Sequence, residues 1–189
     1  MKNYNIYLIG VGGQGIGLLS EVLIRAADYS NINVRGVDTH GLAQRGGTVR
    51  SFIRLGDNIH SPLIPKHKAN LVISLERHEA LRGMNNYLMN NGILVYYDAV
   101  WQPLSIRLKK SNILKNNTIV EEAKRRNINF YRIYKEDLED SRMQNIVLLA
   151  HIAKNKIIEN IKRTNYKKAI SDLLKGEILE KNLKLFDSI

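Results

Sequence analysis

The fold of this chain is decided by the stretch Ile6-Tyr-Leu-Ile-Gly10-Val-Gly-Gly-Gln-Gly-Ile16, in which a short apolar run leads directly into four glycines. An apolar run of this length without polar alternation is typical of a strand buried on both faces of a parallel sheet. From Leu18 to Tyr29 apolar residues recur at helical spacing. The N-terminal part therefore predicts a strand, a glycine loop and a helix, in that order.

The rest of the sequence continues this alternation. Apolar runs bounded by turn residues predict strands at 33–37, 71–75, 93–97 and 129–134. Residues 77–89 have a helical pattern that stops near Asn90-Asn-Gly92. We therefore predict an α/β fold, a three-layer α/β/α structure with a mostly parallel sheet and a Rossmann-like first β-α unit.

Three further patterns refine this fold. Polar and apolar residues alternate over 49–55, which predicts an antiparallel edge strand. Thr118 with Glu121, and Ser141 with Gln144, have the spacing of a capping box, so a helix is expected to begin at each. The chain is expected to end with two or three helices.

Composition limits the sites that the chain can hold. A length of 189 residues fits a single domain over 1–189. There is no cysteine, which excludes cysteine-ligated clusters, thiolate zinc sites and cysteine nucleophiles. No segment reaches the roughly 20 apolar residues of a membrane span, and no signal-peptide pattern is present. We expect a cytoplasmic protein without membrane contact.

The formal net charge of +11 is unevenly distributed. Residues 106–189 carry nineteen lysines and arginines against eleven acids, whereas residues 1–105 carry ten against seven. A basic half can face nucleic acid, an acidic protein or a phosphorylated cofactor. However, these cations alternate with apolar residues at helical spacing, and no nucleic-acid-binding signature is present. We interpret them as solvated helix faces and expect no nucleic-acid partner.

The first glycine loop, residues 10–15, fits the G-x-G-x-x-G template of dinucleotide-binding folds, and Asp38 lies where such folds place an acidic residue. A helix N-terminus there would hold a pyrophosphate. This gives one alternative, a free-standing NAD-binding dehydrogenase domain; another is a tight turn that binds nothing. The candidate binding residues in this loop are Gly10, Gly12, Gly13, Gln14 and Gly15.

The second glycine loop, residues 39–47, adds Thr39, His40, Arg45, Gly46 and Gly47 as candidates. A guanidinium beside two glycines can present itself, with exposed amides, to a carboxylate or a phosphate. His40 has no recognisable nucleophile or metal partner, so we assign it no catalytic role.

No other catalytic motif is present. Glu76, His78 and Glu79 follow a predicted strand, and their spacing favours a helix start over an active site. We therefore name no catalytic residue and no metal ligand in this chain.

Together, the two loops carry a family resemblance. The first resembles the opening of the gamma subunit, or gamma domain, of the 2-oxoacid:ferredoxin oxidoreductases. Asp38-Thr-His-Gly-Leu-Ala-Gln-Arg-Gly-Gly-Thr-Val49 resembles the beta subunits of the indolepyruvate:ferredoxin oxidoreductases within that family. Ser61-Pro-Leu-Ile-Pro65, residues 71–81 and the terminal segment 180–186 fit the same branch. Residues 101–131 are the least recognisable.

The resemblance implies an activity. In this family a 2-oxoacid, here an aryl pyruvate, is decarboxylated on thiamine diphosphate, its acyl group passes to coenzyme A, and two electrons reach ferredoxin through iron–sulfur clusters. The catalytic alpha subunit carries the thiamine diphosphate, magnesium and clusters. The resemblance therefore implies an accessory subunit that binds no cofactor alone and is inactive when isolated.

The role of the glycine loops stays open between two interpretations. In one they contact coenzyme A, whose phosphates suit a glycine-rich helix start and Arg45. In the other they form a subunit interface in which glycines allow close backbone contact. A third general hypothesis is a basic interaction protein without any cofactor.

Overall fold

The chain forms a six-stranded sheet with helices on both faces. The computed structural model describes residues 3–39, 46–101, 108 and 114–189. Within these residues the strands are β1 (Tyr4–Val11), β2 (Val34–Thr39), β3 (Thr48–Leu55), β4 (Ala69–Ser74), β5 (Leu88–Tyr97) and β6 (Asn129–Ile133). The helices are α1 (Ile16–Asp28), α2 (Arg77–Asn86), α3 (Asn116–Arg125), α4 (Gln144–Lys154), α5 (Arg163–Leu173) and α6 (Gly176–Asp187), with a 3-10 turn at Ser141–Met143.

The strand order is β2-β3-β1-β4-β5-β6. β1, β4, β5 and β6 are parallel neighbours, whereas β3 runs antiparallel to both β1 and β2. The predicted mostly parallel sheet is confirmed. β1 is followed by a helix on one face of the sheet and β4 by a helix on the other, so the crossover direction changes between these two neighbouring strands.

β1 shows why the apolar run forms a central strand. Ile6 and Leu8 pack into the core shared with α1, α4, α5 and α6, whereas Tyr7 and Ile9 pack into the core under α2 and α3. All four side chains are at most 1% exposed. The expected strand buried on both faces, and the three-layer arrangement that it requires, are confirmed.

The prediction that 49–55 is an edge strand is wrong. β3 is antiparallel as expected, but β2 pairs with its outer side and forms the edge instead. The polar side chains of β3 also contact other parts of the protein. Arg54 donates from Nε to Asn5 Oδ1 at 2.9 Å and from Nη1 to the Ser61 carbonyl at 2.9 Å. These contacts explain why an interior strand shows polar alternation.

The helix predicted over 77–89 is shorter. α2 ends at Asn86, and β5 already begins at Leu88, opposite Ala69. The Arg126 guanidinium donates to the Met84 carbonyl at 2.6 Å and also to the Leu88 carbonyl. Because a side chain from the end of α3 satisfies these carbonyls, the helix ends where local sequence alone does not predict an end.

Both predicted capping boxes are wrong. α3 begins at Asn116, so Thr118 lies inside its first turn. At the other site Asp140 is the capping residue, and its Oδ1 accepts the Arg142 amide at 2.8 Å. Ser141 then lies in the 3-10 turn, and α4 begins at Gln144. Asp competes well with Ser for an N-cap position, since its carboxylate accepts amide bonds readily.

Three helices end the chain, as expected. Across the described ranges, no helix has the length and apolar character needed to cross a membrane.

Candidate functional site

The first glycine loop is a turn that needs glycine at two positions. Gly13 has φ +103° and Gly15 has φ +82°, in the left-handed region that side chains disfavour. Gly15 is also the N-cap residue of α1. Gly10 is packed differently, because a Cβ there would lie 2.9 Å from Cδ1 of Ile16.

Gln14 is completely buried and bridges two strands. Its Oε1 accepts the Val11 amide at 2.7 Å, and its Nε2 donates to the Leu75 carbonyl at 2.7 Å. These groups lie after β1 and β4, between which the crossover direction changes; in open α/β sheets this crevice is the usual ligand site. In this chain the Gln14 side chain lies in that crevice and hydrogen-bonds to both strands, so Gln14 has a structural role.

The two glycine loops meet through their backbones. The Gly12 amide donates to the Gly47 carbonyl at 2.8 Å, and the Gly46 amide lies 3.5 Å from the Gly12 carbonyl. The described end of the second loop, Gly46 and Gly47, therefore lies against the first loop. The same contact engages the Gly12 amide, which is therefore not available to a pyrophosphate.

The remaining candidates of the second loop are placed as follows. Thr39 ends β2, and its hydroxyl donates to the Arg50 carbonyl at 3.2 Å. His40 and Arg45 lie outside the described residues, so their predicted roles stay predictions.

Asp38 does not occupy a simple dinucleotide site. β3 lies between β1 and β2, so the strand carrying Asp38 is not adjacent to the first glycine loop's strand. Asp38 Oδ1 accepts from Ser20 Oγ at 3.0 Å, and Ser20 Oγ lies 2.7 Å from Ser51 Oγ. The Asp38 side chain is exposed but is engaged with this buried pair of serines, and the geometry does not favour the NAD alternative.

A groove of about 480 Å³ opens beside the first glycine loop. Residues from the N-terminal parts of three helices line it, Leu18 in α1, Asn145 in α4 and Ile178 in α6. Helix N-termini carry partial positive charge, and the nearby Arg142 and Lys181 add cations. Glu139 and Asp140 also line the groove and balance these two cations, so the helix N-termini are what favours an anionic group there.

Sequence reasoning missed this groove. Asn145 Nδ2 lies 3.4 Å from the Gly15 carbonyl, across 130 residues of chain. Arg142 and Lys181 pair with Asp140 at 2.6 Å and Glu139 at 2.6 Å. In the sequence these residues belong to ordinary amphipathic patterns, and no local signal separates them from solvated helix faces.

Two exposed apolar side chains lie near the first glycine loop. Trp101 is 36% exposed, and its Cζ3 would lie 3.8 Å from a Cβ on Gly13. Ile178, which lines the groove together with Gly13, is 63% exposed. Large exposed apolar side chains beside a binding groove are typical of a contact surface.

Glu76 and Glu79 start α2, as predicted, but both are fully buried. Glu76 Oε2 accepts the Glu79 amide at 2.9 Å, and Glu76 Oε1 lies 2.7 Å from His78 Nδ1. Glu79 is less well satisfied, because its Oε2 has no hydrogen-bond partner. Burial raises the pKa of the Glu79 carboxyl, and the neighbouring Glu76 adds to the rise.

Glu79→Gln is expected to raise the free energy of unfolding at pH 8. Since the folded pKa is raised, the protonated form's stability is fully present below about pH 4.3 and is lost as pH rises through the folded value. A neutral amide avoids that loss, so the gain in the free energy of unfolding is expected at pH 8 and disappears near pH 4. Urea unfolding of both proteins at several pH values measures it. An equal gain at every pH would contradict this explanation.

Across the described part of the chain, no group of three or more histidine, aspartate or glutamate side chains is placed to hold a metal ion. The sequence itself contains no cysteine. Neither an iron–sulfur cluster nor a thiolate metal site fits the residues described here.

The chain is similar to proteins named indolepyruvate oxidoreductase subunit IorB. It is 42% identical over 94 residues to that of Pyrococcus horikoshii, a match covering 50% of this chain and 46% of the relative. To that of Methanothermobacter thermautotrophicus it is 38% identical over 107 residues, covering 53% and 54%. The chain thus spans about half the length of the curated relatives it matches.

Two solved structures have a similar fold. Pyruvate oxidoreductase subunit PORC from Thermotoga maritima superimposes with a TM-score of 0.65 at 18% identity, covering 98% of this chain and 93% of that one. A 2-oxoglutarate:ferredoxin oxidoreductase from Magnetococcus marinus, with 2-oxoglutarate, coenzyme A and succinyl-CoA bound, gives 0.67 at 16% identity, covering 100% and 30%. At these identities the likeness shows the fold alone.

The family is settled by a match along nearly the whole chain. The model of the pyruvate ferredoxin/flavodoxin oxidoreductase family matches residues 5–189, which include both glycine loops and the helices α1 to α6 of the described residues. This confirms the resemblance seen in the sequence, and the chain belongs to the pyruvate ferredoxin/flavodoxin oxidoreductase family.

Proposed function

We propose that this chain is the accessory subunit of a 2-oxoacid:ferredoxin oxidoreductase that acts on indolepyruvate or another aryl pyruvate. The names of the relatives support the substrate class. The proposed reaction converts the 2-oxoacid and coenzyme A into acyl-CoA and CO2, and two electrons pass to ferredoxin. The proposed partner is a larger catalytic subunit.

The chemistry of this chain supports that division of labour. Iron–sulfur clusters need thiolate ligands, and this sequence has no cysteine. The described residues also offer no acidic or histidine cluster for a magnesium ion. Thiamine diphosphate, magnesium and the clusters are therefore assigned to the partner, and no chemical step is assigned to this chain's residues.

The observation that carries the proposal is the joined pair of glycine loops beside the groove. The Gly12–Gly47 hydrogen bond places the segment that follows Arg45 next to the first loop. The groove volume of about 480 Å³ lies in the range of about 300–1,000 Å³ typical of small-molecule sites. The α1 N-terminus favours the phosphates of coenzyme A there, and Arg142, which pairs with Asp140 at 2.6 Å, lies beside it.

The competing interpretation is a subunit interface at the same place. The exposed rings and chains of Trp101 and Ile178 favour it, because aromatic and large apolar residues are common at interface centres. Both interpretations make the glycine loops functional, and they differ in what the loops contact.

Co-expression with a cysteine-rich, thiamine-dependent partner tests the proposed function. We expect the two proteins to co-purify and the complex to reduce ferredoxin in a reaction that needs both an aryl pyruvate and coenzyme A. This chain alone is expected to show neither that activity nor saturable NADH binding at submicromolar concentration. A partner equally active without this chain would refute the accessory role.

Arg45→Ala is expected to raise the apparent KM for coenzyme A about tenfold in the assembled enzyme, the effect of losing one charge-assisted hydrogen bond. Assembly should be unchanged. Arg125→Ala is the matched control, since Arg125 is an exposed arginine paired with Glu122 at 2.7 Å. Loss of assembly with an unchanged KM in the remaining complex would favour the interface interpretation instead.

A further inference from the structure

The carboxyl of Glu79 is incompletely satisfied at the place where α2 meets the second glycine loop. The side chain is 0% exposed. Its Oε1 accepts from Thr48 Oγ1 at 3.3 Å, whereas its Oε2 has no hydrogen-bond partner and lies 3.4 Å from Arg82 Nε. Burying a carboxyl whose second oxygen has this ion pair but no hydrogen bond is unfavourable, so its position calls for a functional explanation.

Capping of α2 does not explain this carboxyl. The capping side chain is Glu76, and Glu79 contributes only its backbone amide to that contact. The Glu79 carboxyl points instead toward the start of β3. Capping therefore does not account for the position of this carboxyl.

A continuous set of contacts leads from this carboxyl to both glycine loops. Thr48, which bonds to Glu79, is the residue directly after Gly47. The Gly47 carbonyl accepts the Gly12 amide at 2.8 Å. Thr48 is also paired with Val11 in the β1–β3 ladder. Glu79 is thus the side chain through which α2 contacts the junction of the loops.

We propose that Glu79 is a positioning residue for this junction: its ionised carboxylate holds Thr48, and with it Gly47, against α2, and protonation of the carboxyl loosens that hold. A hydroxyl donates a stronger hydrogen bond to a carboxylate than to a neutral acid. The proton thus sets how firmly the second glycine loop is anchored at its C-terminal end.

Groups on three elements determine when Glu79 takes up its proton. Burial raises the pKa of Glu79 most, and the Glu76 carboxylate raises it further. The cations Arg82 and Arg50 and the Thr48 hydroxyl lower the pKa of Glu79. On β1, the Tyr7 hydroxyl faces the same cluster, and burial raises the pKa of that phenol. Because the effect of burial is the largest, the pKa of Glu79 lies above that of an ordinary glutamate.

Amide hydrogen exchange on the isolated chain tests the proposal without any partner. The Gly12 amide reports on the loop junction, and the Leu75 amide, bonded to the Ile9 carbonyl at 3.1 Å, reports on the sheet centre. The ratio of their protection factors cancels changes in global stability. We expect Gly12 to lose about fivefold protection relative to Leu75 as pH falls through the Glu79 titration, the effect of one hydrogen bond.

Three variants separate positioning from general packing. In Glu79→Gln the ratio should be independent of pH. In Thr48→Val, which keeps the β-branched shape, Gly12 should stay at the low protection at every pH. The control Glu122→Gln, which alters a partly exposed acid in α3 far from this cluster in sequence, should titrate like the wild type. A flat ratio in the wild type, an opposite slope, or the same titration in Glu79→Gln would overturn the proposal.

Any effect on coenzyme A use rests on the proposed function, whereas the exchange result does not. If the exchange ratio titrates as expected but the assembled enzyme shows no coenzyme A dependence, the positioning role stands and the proposed function fails. If coenzyme A dependence is present and the exchange ratio does not titrate, the proposed function stands and the positioning role of Glu79 fails.

Discussion

Gln14→Met is expected to lower the free energy of unfolding by about 4 kcal/mol. Methionine nearly preserves the volume of glutamine but removes both of its hydrogen bonds. The Val11 amide and the Leu75 carbonyl would then lose partners that lie at 2.7 Å, in a site with no exposure. Each unsatisfied buried polar group costs about 2 kcal/mol. Urea unfolding followed by circular dichroism measures the loss.

Gln144→Met is the matched control for this prediction. Gln144 is also buried, at 1% exposure, but its Nε2 makes no hydrogen bond. Its replacement should therefore cost clearly less than that of Gln14. If the two variants lose the same stability, packing rather than the bridge between β1 and β4 explains the effect of Gln14.

Gly15→Ala is expected to lower the free energy of unfolding by about 3 kcal/mol. The residue has φ +82°, a conformation that costs an L-residue about 1–2 kcal/mol. An added Cβ would also lie 2.6 Å from Asn145 Nδ2. Asn145 is 3% exposed, and its Oδ1 accepts the Ile146 amide at 2.7 Å, so it cannot move without losing a contact worth about 1 kcal/mol.

Two comparisons separate the backbone and contact parts of this loss. Gly176→Ala changes a glycine at φ +56° with nothing within 4 Å of its Cβ position, so it should show the backbone cost alone. In an Asn145→Ala background, Gly15→Ala should likewise cost only the backbone part. Strict additivity of Gly15→Ala and Asn145→Ala would contradict the steric explanation. Gly15 and Asn145 both line the groove, so Gly15→Ala and Asn145→Ala should reduce coenzyme A use if coenzyme A binds there.

Local patterns predicted the elements whose cause is local. The strand expected at Ile6–Ile9 lies within β1, and the helix expected from Leu18 lies within α1 apart from its last residue, because burial fixes both periodicities. The predicted end of α2 was wrong because Arg126, forty residues further along the chain, satisfies the backbone carbonyls at the end of the helix. An interaction between distant segments leaves no periodic signal at either one.

The candidate site divides in the same way. The two glycine loops were predicted to contact coenzyme A or a partner subunit, whereas their contact with each other, through the Gly12–Gly47 hydrogen bond, is seen only in the tertiary structure. The role of Gln14 was not predicted, since a glutamine in a glycine loop is equally compatible with binding a ligand. Only the position of the Leu75 carbonyl shows that the Gln14 side chain hydrogen-bonds within the protein.

The sequence by itself determined the α/β class, the absence of thiolate chemistry and the family, because these depend on composition, periodicity and the glycine motifs. The tertiary structure alone decided that β3 separates β1 from β2, that Gln14 fills the crevice, and that helices α1, α4 and α6 share a groove. The physical reason is that each of these features is a contact between distant segments. Its energy comes from burial and hydrogen bonds that exist only once the sheet has formed.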